Sequence, residues 1–161
     1  MKAKLQKRHL FYGLMVVLIL FFDQLSKSIV QEKFQLYQSV EVIAGFFNIT
    51  YLRNPGAAFG IFSHANPQIV KPVFFVIAIV ALAVMMVIYF RAPEKDRLTR
   101  PAMCLIFSGA MGNIIDRWRL GEVVDFLDFY LYSYHWPAFN LADTSITIGV
   151  GLFILSLLRR G

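Results

Sequence analysis

Four apolar runs set the terms on which this chain can fold: Leu10 to Val30, Pro72 to Phe90, Pro101 to Ile115 and Leu141 to Leu158. Each approaches the roughly 20 residues an α-helix needs to cross a ~30 Å hydrocarbon core. With 58% of its residues hydrophobic, against about 45–50% in an ordinary soluble domain, the chain has to be read against lipid. The sequence predicts an α-helical integral membrane protein. Its four transmembrane helices lie at approximately 10–30, 72–90, 101–117 and 141–158, within a single membrane-embedded domain over 1–161.

The net charge of +6 is placed at alternate ends of these runs. Lys2, Lys4, Lys7 and Arg8 precede the first; Arg91, Lys95, Arg97 and Arg100 lie between the second and third; Arg159 and Arg160 follow the fourth. The positive-inside rule then puts both termini and the 91–100 loop in the cytoplasm, and segments 31–71 and 116–140 outside. A nucleic-acid surface would gather its cations on one soluble face, so the expected partner is the bilayer and not a nucleic acid. The basic, apolar start also has the look of a secretory signal peptide. However, Asp23, Gln24, Leu25, Ser26 and Lys27 stand where a small-residue cleavage site would be, so a retained helix is expected. Cys104 is the single cysteine and is read as packing.

Between the first two spans the chain turns to strand chemistry. Phe47, Ile49 and Tyr51 alternate with Asn48, Thr50 and Leu52, and Asn54, Pro55 and Gly56 break the run before the apolar stretch Ala57 to Phe62. A small extracytoplasmic β-sheet is expected within approximately 34–62. Trp118 to Phe139, with Tyr130, Tyr132, Tyr134 and Trp136, is expected to be an interfacial loop segment, because amphipathic aromatics favour the headgroup level.

A carboxylate at membrane depth is costly and therefore points to function. At ~1.5 Å of rise per residue, Asp143 lies roughly 24 Å from the end of its span at Arg159, near the outer edge of the hydrocarbon. Asp125 follows the third span across a short turn at Gly121 and reaches the same level. Two close carboxylates share a proton, so one can act as base on water while the other polarises a scissile carbonyl. On these residues alone two alternatives stay open. Asp143, before Thr144 and Ser145, can equally be a helix cap, and Asp128 can replace Asp125.

The third span ends in a stripe of Gly109, Asn113 and Arg117 at i, i+4, i+8, with Asp116 close to the same face. Asn113 and Arg117 can donate to a substrate backbone, or Arg117 can snorkel and pair with Asp116. Asp23 and Lys27, at i, i+4, read as a structural ion pair. His9, His64 and His135 are isolated, with no His-Glu-x-x-His, Gly-x-Ser-x-Gly or phosphate-loop pattern, so neither a metal nor a cofactor is expected. The rivals to a protease are a proton-coupled transporter and a non-enzymatic membrane assembly protein; the duplicated halves that mark many transporters are not visible.

Five motifs occur in order: Asp23-Gln-Leu-Ser-Lys27, Arg53-Asn-Pro-Gly-Ala-Ala-Phe59, Gly109-Ala-Met-Gly-Asn-Ile-Ile-Asp-Arg117, Gly121-Glu-Val-Val-Asp-Phe-Leu-Asp128 and Phe139-Asn-Leu-Ala-Asp143. With them the chain resembles the bacterial lipoprotein signal peptidase (type II signal peptidase) family over essentially its whole length. The resemblance implies an aspartic endopeptidase of the bacterial inner membrane, expected as a monomer. Its substrate would be a diacylglyceryl-modified prolipoprotein, cut on the N-terminal side of the lipidated cysteine. It further implies that Asp125 and Asp143 are the catalytic pair. Asn54, Gly56, Asn113, Arg117 and Asn140 would position substrate or shape the site, and Asp23 and Lys27 would support it.

Overall fold

The computed structural model describes residues 2–56 and 67–159. The expected apolar stretch 57–62 and His64 lie outside the described residues. The helices are α1 (Lys2–Lys33), α2 (Pro67–Arg91), α3 (Thr99–Leu120) and α4 (Leu141–Leu158). The strands are β1 (Ser39–Ile43), β2 (Phe47–Asn54), β3 (Val123–Leu131) and β4 (Tyr134–His135), hydrogen-bonded antiparallel in the order β1-β2-β3-β4.

The bundle is built inside out. Leu10, Phe11, Leu14, Val17, Phe21 and Phe22 of α1, Val76, Ile77 and Val80 of α2, and Ile148 and Ile154 of α4 face outward. Asp23, Lys27, Ser108, Asn113, Asp116, Asn140, Ser145 and Ser156 are buried. Water would not tolerate so much exposed apolar surface; a bilayer favours it and drives polar groups to the interior. Among the described residues two helices, Gln6–Lys33 and Leu141–Leu158, are by length and composition apolar enough to cross a membrane, and Phe75–Arg91 is a shorter apolar helix. α3 does not meet that test, and its position explains why. It packs against α1, α2 and α4 and buries eleven residues from Thr99 to Asp116, so its neighbours shield Asn113 and Asp116 from lipid.

α3 and α4 meet at backbone distance. A Cβ on Gly109 would fall 2.2 Å from the Ala142 carbonyl oxygen, and one on Gly149 would fall 2.6 Å from Ile106 Cγ1. Small residues allow this approach, which in lipid supplies the dispersion contacts that hold helices together. Gly109→Ala is expected to cost at least about 1–3 kcal/mol, as overpacking of a close contact does, and to lower activity by moving Asn113 away from α4. Gly151→Ala, whose Cβ meets nothing within 4 Å, should unfold at or above the wild-type temperature. Equal melting of the two variants in detergent would refute the close seam.

One end of the bundle carries the sheet. Val30, Tyr51, Val124 and Phe126 are buried together, with Phe34, Leu120 and Leu141 packed against them. The predicted strand is observed as β2: Leu52 pairs with Asp125 and Arg53 with Val124. The structure corrects the expectation of an interfacial loop at 118–139. Val123–Leu131 is the third strand of the sheet, and it is buried along most of its length because helices and the Phe139 segment enclose it.

Candidate active site

Two chain reversals bring the polar residues together. α3 stops at Gly121, whose left-handed backbone (φ 79°) lets its N–H close onto the Arg117 carbonyl. A residue with a Cβ is strained in that conformation. β3 begins two residues later and lies along β2. α4 starts at Asn140 in a capping box. The Asn140 side-chain oxygen accepts the Asp143 N–H at 2.9 Å, and Asp143 Oδ2 accepts the Asn140 N–H at 3.3 Å. The open alternative thus has a structural answer: Asp143 is part of a cap, and its other oxygen is engaged elsewhere.

Asn113 Nδ2 donates to Asp143 Oδ1 at 2.8 Å. Asn140 Nδ2 donates to Asp125 Oδ1 at 2.8 Å, and Asn54 Nδ2 donates to Asp125 Oδ2 at 3.1 Å. Asn140 therefore holds the Asp125 side chain with its nitrogen and the Asp143 main chain with its oxygen. The amide orientations follow from chemistry. Asn113 Oδ1 faces the Lys27 ammonium at 3.0 Å, a group that can only donate, so Asn113 Nδ2 is left for the carboxylate.

Asp125 is buried while Asp143 is partly open. Burial pushes the Asp125 carboxyl up to about 6, the negative charge of Asp143 adds to the rise, and the Asn54 and Asn140 donors and Lys27 pull against it. Asp128 lies three residues along the strand, with Asn48 Nδ2 at 3.0 Å and His135 Nδ1 at 2.9 Å. It is Asp125, and not Asp128, that joins the Asp143 network.

Beneath the two carboxyl groups Lys27 Nζ lies 2.9 Å from Asp23 Oδ2, 2.9 Å from Asp116 Oδ2 and 3.0 Å from Asn113 Oδ1. All three of its protons have acceptors. Gln24 Nε2 donates to Asp116 Oδ1 at 2.9 Å, the Ala142 N–H to Asp23 Oδ1 at 2.9 Å and the Val124 N–H to Asp116 Oδ2 at 3.2 Å. A Cβ on Gly112 would stand 2.5 Å from Asp23 Oδ2, so glycine admits the carboxylate. The predicted Asp23–Lys27 pair is present, within a larger cluster whose other members, Asp116 and Gln24, were not assigned to it from sequence. Asp116 turns inward to Lys27 instead of pairing with Arg117. Arg117 Nη1 approaches the Asn113 carbonyl at 3.5 Å, and its guanidinium lies within electrostatic reach of both Asp143 and Asp125. Gly56 has a positive φ of 85°, and a Cβ there would touch Arg117 Nε at 3.4 Å. Among the described residues no three His, Cys, Asp or Glu side chains are grouped to hold a metal.

An inside-out helical bundle whose polar interior opens onto paired carboxyl groups under a small sheet has the build of a membrane-embedded enzyme. The family profile of signal peptidase (SPase) II matches residues 15–159. The lipoprotein signal peptidase of Geobacter metallireducens is 43% identical over 148 residues, covering 92% of this chain and 90% of that protein. That of Desulforapulum autotrophicum is 47% identical over 142 residues, covering 88% and 87%. A bacterial membrane enzyme solved by the in meso method superimposes with a TM-score of 0.83 at 40% identity, covering 94% of each chain. The chain belongs to the signal peptidase II family.

Proposed function

We propose that this chain removes the signal peptide from diacylglyceryl-modified prolipoproteins, cutting N-terminal to the lipidated cysteine, with Asp125 and Asp143 as its catalytic pair. The observation that carries the assignment is Asn140, which links the two carboxyl-bearing residues at 2.8 Å and 2.9 Å. Asp143 begins ionised, at the positive end of the α4 dipole, and takes a proton from the attacking water. Asp125, protonated because it is buried, gives its proton to the scissile carbonyl oxygen as the water oxygen bonds to carbon. The resulting gem-diol collapses: one hydroxyl proton returns to Asp125, Asp143 protonates the departing amine, and the C–N bond breaks. Asn113 and Asn54 hold the carboxyl groups, and Arg117 faces the substrate.

The charge distribution supports a multi-pass topology of four spans, with both termini in the cytoplasm and the carboxyl groups toward the outer leaflet. A lipid tail on the substrate then fixes the scissile bond at the bilayer edge, so binding supplies orientation. Purified protein in detergent is expected to cut a diacylglyceryl-modified prolipoprotein and to leave its unlipidated form intact. Equal cutting of both forms would remove lipid recognition. Cutting neither, with proton movement in liposomes, would favour transport.

A further inference from the structure

The two faces of the sheet differ in chemistry. Strand register puts Val40, Ile43, Phe47, Ile49, Phe129 and Leu131 on the face that carries Asp125. Tyr134 pairs with Leu131, and the Trp136 N–H donates to the Phe129 carbonyl, so both aromatics join that face. On the opposite face the polar groups answer one another. Asn48 Nδ2 and His135 Nδ1 meet Asp128, Tyr130 Oη donates to Glu41, and the Tyr130 and His135 rings stack at 4.9 Å. A sheet divided in this way turns one side to water and the other to something apolar.

Around Asp125 the apolar side is covered, and toward the hairpin ends it opens: Asp125 is 3% exposed, Trp136 60% and Leu131 62%, with Val40, Ile43 and Tyr134 exposed as well. Leu131 lies roughly 20 Å along the strand from Asp125, beyond the carboxyl pair. The open part continues the apolar exterior of the bundle. Leu25 and Ile29 of α1 are exposed, and Leu36 and Tyr37 carry that surface from the end of α1 onto β1. Tyr37 and Tyr132 hold left-handed backbone, φ 69° and 55°, which strains a residue with a Cβ, and both turn a phenol outward. Tyrosine and tryptophan, apolar bodies with a polar tip, are the side chains of the lipid headgroup level. None of the exposed positions on this face is charged.

We infer that the open half of the Asp125 face lies on the bilayer leaflet nearest the carboxyl pair, with Leu131, Tyr134 and Trp136 set into the boundary between headgroups and acyl chains. The sheet is then a second attachment to lipid, separate from the helices. This rests on the membrane location of the protein and not on the cleavage reaction, so its test reads no activity. The chain has two tryptophans, Trp118 and Trp136, and Trp118→Phe leaves Trp136 as the single reporter. The full chain carrying that substitution is placed in bilayers of phosphatidylcholine brominated near the headgroup end or near the terminal methyl of its acyl chains, and Trp136 emission is followed.

Trp136 is expected to lose most of its emission to the shallow bromines and little to the deep ones or to dissolved iodide, as a ring about 5–10 Å into the interface does. Adding Leu131→Asp, which puts a carboxylate on the lipid side, should abolish quenching by the lipid and admit iodide. Ser39→Asp, on the polar face, should change neither. The depth profile decides even if Leu131→Asp fails to fold. Quenching by iodide and not by bromolipid, or lipid quenching that survives in folded Leu131→Asp, overturns the inference. So does shielding that grows with the protein-to-lipid ratio, which would mark a second copy of the chain. Shielding of Trp136 that appears only when prolipoprotein is added to the Asp125→Asn form would mark a substrate shelf and overturn it too.

Discussion

Asp125→Asn and Asp143→Asn are each expected to lower turnover of a lipid-modified prolipoprotein by at least about 10²–10⁴-fold, the range that a positioned acid or base contributes. Single-turnover cleavage by folded protein checks this; a variant retaining a tenth of the wild-type rate would remove that aspartate from the chemistry. The pH dependence is the sharper reading. Asp125 holds its proton below about 6, so kcat/KM should fall as pH rises through that value and the shared proton is lost. Asn54→Ala removes a donor that favours the ionised form, and should move this limb upward. Stability follows the same ionisation. Because the folded carboxyl sits above its ordinary 3.8, its stabilising contribution is complete below about 4 and is lost as pH rises through about 6. Asp125→Asn should lack that decline, an inactive enzyme whose fold is less sensitive to pH in this window.

Lys27→Met carries the largest expected loss of stability, about 3–5 kcal/mol, because it strands two buried carboxylates at the centre of the bundle. The loss should be recovered largely when Asp23→Asn and Asp116→Asn are added, since neutral groups need no buried counter-charge. Thermal unfolding in one detergent across this series checks the account. If Lys27→Met alone melts like the wild type, the cluster is not a charge device. Activity should fall as well, because without the ammonium Asn113 Oδ1 keeps only the longer 3.4 Å contact from Asn140 Nδ2, and its amide can turn away from Asp143.

The helices were legible because apolar runs and their charged ends are local signals: the run Leu141 to Leu158 is α4 to the residue. β2 was legible because its β-branched and aromatic residues and the turn residues that end it are local signals too, although burial along the strand does not itself alternate: Thr50 and Tyr51 are both buried. β3 was not legible. Val123 to Phe126 are all buried, so both faces are apolar or internally paired, and the period-2 pattern is absent. Proximity in sequence left an Asp116–Arg117 pair open as one of two readings. Neighbouring helical residues point about 100° apart, so Arg117 was a poor partner, whereas Lys27 arrives from another helix. Asp125 and Asp128 were inseparable by spacing because only the strand register, which pairs Leu52 with Asp125 and Asn48 with Asp128, determines which neighbours each one meets.

In the proposed mechanism Asp143 is at once a reagent and part of the framework. As the base it must give up its charge and regain it in every cycle, and a neutral carboxyl is a weaker acceptor for the Asn140 N–H. The reciprocal bond, from the Asp143 N–H to the Asn140 side chain, involves no titrating group. The start of α4 is thus tied by one strap that slackens with each proton and one that does not. The reagent can change its charge while the helix that carries it keeps its place.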